Sequence, residues 1–170
     1  MAERILPAPP TTGDDPTLAL WAQAITSSVN DTPVYGGLLT TGSPEISGLG
    51  ASAVTLGAFN LQMPSQDVSV STLLNTLTIE VPGPYTIFQQ SSFTGVAQNE
   101  YQTHLHLNGS ETSLGWHRKI GAANDAGSAS CSGILNLIES DTLAFKAEIT
   151  DGAGDIISLE EAQFYVQKIR

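Results

Sequence analysis

The stretch YQTHLHLNGS, residues 101–110, holds the residues that most suggest chemistry in this chain. His104 and His106 lie two apart in an alternating polar and apolar run. On a strand, side chains at i and i+2 share a face, so the two imidazoles would stand side by side. Imidazole pairs of this kind bind zinc or iron. Within the alternation, Tyr101, Thr103, Leu105 and Leu107 form the core-facing set, which turns Gln102, His104, His106 and Asn108 outward. An outward pair supplies two ligands, whereas a stable zinc site wants three or four. The expectation is polar surface, with no metal and no cofactor.

Other reactive residue types are scattered. DGAGD at 151–155 pairs two carboxylates with flexible glycines, but lacks the further acidic ligands of a calcium loop, and reads as a hairpin turn. WHRK at 116–119 sets basic residues beside an aromatic and reads as a strand with an exposed basic end. Ser113, His117 and Asp125 are the residue types of a hydrolase triad, but no Gly-x-Ser-x-Gly elbow supports them. Cys131 is the single cysteine, inside SASCSGILNLI, and reads as a small buried filler. No catalytic centre is expected.

The elements that would position these residues are strands. Charged residues make up 14% of the 170 positions, while Gly, Pro, Ser and Thr are plentiful, which favours short strands over helices. From Pro33 onward, VYGGLLTTG, SAVTLGAFNLQM, VSVSTLLNTLTIEV, GPYTIFQQSSF, YQTHLHLN, SLGWHRKI, ASCSGILNLI, DTLAFKAEIT and QFYVQKI read as strands. Turn signals such as GSPE, MPSQD, VPGP, NGSE and DGAGD separate them. Residues 1–13 form a proline-rich arm. DDPTLALWAQAITSSVND then reads as an amphipathic helix, with Leu18, Trp21, Ile25 and Val29 at helical spacing. The expected division is residues 1–32 for attachment and 33–170 for the β domain.

A net charge of −11, with only six Lys and Arg, leaves no basic face for nucleic acid or an anionic membrane. The N-terminus lacks a signal-peptide pattern, so synthesis in a cytoplasm without export by this route is expected.

Several local patterns resemble those of the complement-type globular head, a branch of the tumour-necrosis-factor-like jelly rolls. GPYTIF resembles its glycine-x-tyrosine-x-phenylalanine signature through Gly83, Tyr85 and Phe88, with Pro84 as a departure. TLTIEVP resembles the run into that signature, and YQTHLHLNGS the central strand ending in Asn-Gly. SGILNLIESDTLAFKAEI is similar to the paired strands around the step at Asp141, with Ser140 where the family has glycine. EAQFYVQKI resembles the closing strand.

The resemblance implies an all-β, ten-strand jelly-roll sandwich assembled as a homotrimer. Tyr85, Ile87, Phe164 and Val166 would serve the core and trimer contacts of one sheet. The continuously apolar GILNLI and TLLNTLTIEV fit a sheet buried on both sides. Phage fibre tips use His-x-His pairs from three chains around one iron, but here the strand would lie away from the three-fold axis. An acidic trimeric jelly roll with such an arm looks like a bacteriophage virion protein. The expected role is a capsid decoration protein or head fibre at the virion surface. It would dock through Leu18, Trp21 and Ile25 on the major capsid protein or another virion component. The alternative is the receptor-binding tip of a tail fibre or tailspike.

Overall fold

The computed structural model describes residues 33–169, apart from 51, 58, 123–124 and 152–154. The expected helix, with Leu18, Trp21 and Ile25, lies outside the described residues. So does the centre of the DGAGD turn.

Alternation of apolar and polar residues, broken by turn formers, produces strands, and no helix occurs among the described residues. The chain runs through β1 (Tyr35–Leu39), β2 (Glu45–Leu49), β3 (Val54–Thr55), β4 (Leu61–Gln62), β5 (Val68–Ser71) and β6 (Thr76–Ile79). It continues through β7 (Gly83–Thr94), β8 (Glu100–Leu107), β9 (Ser110–Lys119), β10 (Ala126–Leu137), β11 (Thr142–Asp151) and β12 (Asp155–Lys168). Ten of these have four residues or more, and β3 and β4 have two each. Sheet A has the order β10-β7-β12-β1-β4, with β2 also on β12. Sheet B has the order β5-β6-β11-β8-β9, with β3 also on β11. Every pairing is antiparallel, and strands distant in sequence lie side by side, as in a jelly-roll sandwich.

The core lies between the sheets. Tyr85, Ile87, Phe164 and Val166 are each 0% exposed, on neighbouring strands where Val166 faces Ile87 in register, so they serve the core and, contrary to expectation, leave no surface for a trimer contact. Phe164 of sheet A meets Phe145 of sheet B edge-on, with ring centroids 4.9 Å apart. Trp116 is buried against Phe93, and its indole N–H donates to Gln89 Oε1 at 2.6 Å. The Tyr85 hydroxyl donates to the Val81 carbonyl at 2.6 Å. Burial, and secondarily Asp67, push that phenol's pKa up.

Three strand readings are corrected. SAVTLGAFNLQM is not one strand: only Val54–Thr55 and Leu61–Gln62 pair, the first with β11 in sheet B and the second with β1 in sheet A, because the chain crosses from one sheet to the other between them. VSVSTLLNTLTIEV is not one strand but the β5–β6 hairpin, which turns at 72–75 with Asn75 at φ 56°. The Asn75 side chain accepts the Phe59 N–H at 2.9 Å, which holds the turn against the domain. An apolar run carries no mark of where it folds back, so Leu73 and Leu74 emerge 89% and 65% exposed rather than inside a sheet. Strand β2, which overlaps the GSPE turn signal and a stretch not read as a strand, pairs with β12.

Candidate interaction face

The two outward faces of the sandwich differ in chemistry. None of the residues of β1, β7 and β10 is charged, and β12 brings only Asp155, Glu160, Glu161 and Lys168. The strands β8, β9 and β11 of sheet B carry Glu100, three histidines, Glu111, Arg118, Lys119, Lys146 and Glu148. In so acidic a chain, three strands of one sheet without a single charge are selective. Depletion of charge with retained aromatics marks the centre of protein–protein interfaces.

Alternation sets this face. On β7 the core side takes Tyr85, Ile87, Gln89, Ser91 and Phe93, leaving Thr86, Phe88, Gln90 and Ser92 on the other side. On β12, Phe164 and Val166 point inward and Tyr165 outward. Tyr165 and Phe88 are in register, and their rings stack 5.1 Å apart at 30°. Tyr165 also pairs with Gly37, where an added Cβ would come within 2.7 Å of the Tyr165 Cβ and 2.8 Å of the Phe164 carbonyl. Glycine is thus required beneath the aromatic pair. Ile134 of β10 adds an aliphatic side chain that is 65% exposed. Next to these lies a depression of about 330 Å³ lined by Gln90, Ser92, Ser128, Ser130 and Glu161 among others. The β12 bulge between Leu159 and Glu161 places that carboxylate at its rim.

The remaining candidates fall elsewhere. His104 and His106 do point away from the core on sheet B, but they are not open polar surface. His106 is only 7% exposed, and the His104 side chain is 18% exposed. The cause is β9, where Glu111 stands in register with His106 and its carboxylate reaches both rings. The Thr112 hydroxyl, donating to the Leu105 carbonyl at 2.9 Å, holds the register shift between His104 and His106. His117 pairs with Glu100 at 3.4 Å, while Ser113 and Asp125 are exposed. In WHRK, Trp116 belongs to the core and His117, Arg118 and Lys119 are exposed.

Cys131 is half-buried on β10, and burial pushes its thiol pKa up to about 11. At pH 8 only about one thiol in a thousand is then thiolate. Alkylation of the folded protein by iodoacetamide at pH 8 should be at least tenfold slower than in urea.

The aromatic pair was within reach of sequence reasoning. Phe88 and Tyr165 occupy outward positions of strands whose inward positions are already apolar. Glu111 was legible too, since a two-residue Asn-Gly turn pairs 107 with 110 and 106 with 111.

No family model and no curated protein matches the chain. Solved structures do. The globular domain of zebrafish complement 1qA protein matches with a TM-score of 0.59 and 15% identity, over 81% of this chain and 98% of that one. The Eiger TNF from S. frugiperda gives 0.61 and 16%, over 81% and 93%. Murine APRIL gives 0.57 and 13%, over 81% and 100%. At these identities the likeness speaks to architecture alone: residues 33–169 adopt the jelly roll shared by complement-type and tumour-necrosis-factor-type globular domains.

Proposed function

We propose that this chain is a structural virion protein, a homotrimeric capsid decoration protein or head fibre. The observation that supports assembly is the outward face of sheet A, uncharged along β1, β7 and β10 and centred on the stacked Phe88 and Tyr165. Burying such a face costs little desolvation of charge, while a carboxylate-rich face would repel its copies. A three-fold assembly suits the three-fold and quasi-three-fold sites of an icosahedral shell. The role on a particle rests on the sequence: an acidic jelly roll behind a proline-rich arm and an amphipathic segment bearing Leu18, Trp21 and Ile25.

Light scattering after gel filtration tests the assembly. The expected mass is about three times the 17.8 kDa chain, and a monomer at micromolar concentration would overturn it. Attachment has its own test. Deletion of residues 1–30 should leave the oligomer intact and abolish co-sedimentation with particles, whereas retained co-sedimentation would move the docking site into the jelly roll.

One observation favours the second reading, a receptor-binding tip. Leu73 and Leu74 stand exposed side by side at the end of the β5–β6 hairpin, an apolar tip left uncovered by the rest of the described residues. Binding of the jelly roll to host cells, lost in Leu73→Ser with Leu74→Ser, would support it over decoration.

A further inference from the structure

All three histidines of the chain lie on the β8–β9 hairpin, and one of them has an electrostatic problem. His106 Nδ1 is 3.1 Å from the Gly109 carbonyl oxygen. A carbonyl only accepts, so Nδ1 carries the proton and the Nε2 of the neutral ring is a bare lone pair. That Nε2 is buried without a hydrogen-bond partner, and a carboxylate oxygen of Glu111 lies 4.0 Å from it. A lone pair facing a carboxylate is favourable only with positive charge between them.

The rest of the arrangement suits a metal ion. The other Glu111 oxygen is 3.5 Å from His104 Nδ1. Two donors each about 2.0–2.1 Å from a tetrahedral zinc ion are about 3.4 Å apart, close to these separations. A backbone carbonyl on the far imidazole nitrogen is the support that orients metal-binding histidines. Gly115 makes room for His104, because an added Cβ there would meet its Cδ2 at 2.3 Å and the Thr103 carbonyl at 2.2 Å. Among the described residues no three such side chains already converge on one point. Closure requires the Glu111 carboxylate to turn, and this side chain is 52% exposed and free to do so. Lys146, in register with His104, adds a cation to the same sheet and weighs against tight binding.

We propose that the β8–β9 hairpin binds one borderline divalent ion of the zinc or nickel class, through His106 Nε2, His104 Nδ1 and a Glu111 oxygen. Water completes the shell. The site lies on sheet B, so it stands or falls independently of the assembly reading. The test is calorimetric titration of the tag-free full-length chain, stripped with chelator, with zinc chloride alone. The expected result is one ion per chain, with affinity reduced at least tenfold in Glu111→Gln and His106→Gln and changed less than twofold in His117→Gln. Glu111 is on the surface, so Glu111→Gln gives a folded readout even if His106→Gln does not fold. Absence of saturable zinc binding, or equal binding by the wild type and Glu111→Gln, would overturn the proposal.

Discussion

Tyr165→Glu should turn the proposed homotrimer into 17.8 kDa monomers while its circular dichroism stays unchanged. Tyr165 is half-exposed, stacks on Phe88 and lies over Gly37, so replacing it removes one ring contact on the surface. Within the monomer the cost is about 1 kcal/mol, the range of an aromatic pair beyond its area. In the assembly the substitution desolvates a carboxylate in each copy, at several kcal/mol per ion. Each 1.4 kcal/mol is tenfold in affinity, so the dissociation constant should rise by about three orders of magnitude or more. Tyr165→Phe, which keeps the ring, should remain assembled. A glutamate variant of unchanged mass would remove sheet A from the interface.

Its sequence neighbour points the other way and has the opposite consequence. Phe164→Ala should sharply lower the stability of the fold. Phe164 is 0% exposed and meets Phe145 of the facing sheet at 4.9 Å and Phe59 at 6.3 Å between ring centroids. Truncating a buried Phe costs about 3–5 kcal/mol, against total stabilities of roughly 5–15. A domain of this size then loses on the order of 10–20 °C of melting temperature. Phe164→Leu should cost about half as much, since more of the cavity stays filled. Thermal melts in fixed buffer check this. A loss of under 3 °C for the alanine variant would mean that the ring is not buried as described. The pair 164 and 165 thus separates folding from assembly at adjacent positions, through the two-residue period of one strand.

That period explains how much was readable in advance. Face assignment is local: the apolar parity of β7 and β12 put Tyr85, Ile87, Phe164 and Val166 together, and all four are in the core. The Asn108–Gly109 turn, with φ of 51° and 82°, is likewise dictated by residues that tolerate the left-handed region. Resemblance at GPYTIF and the closing strand carried the architecture despite its few identities.

Other features were decided only by the tertiary structure. β7 lies between β10 and β12, partners separated from it by tens of residues, and no local preference encodes which strands meet. The run 68–81 has the same apolar character whether extended or folded back. The hairpin arises because β6 pairs with β11 while β5 finds only β6. His106 shows the limit most directly. Its parity, read from the alternation, places it on the solvent side of sheet B, and that is where it points. Its burial depends on β9, which sets Glu111 in register with it and within 4.0 Å of the ring. Alternation along a strand determines direction and the Asn-Gly turn names the facing residue, but how far that residue covers the ring is set by side-chain packing that only the folded chain creates.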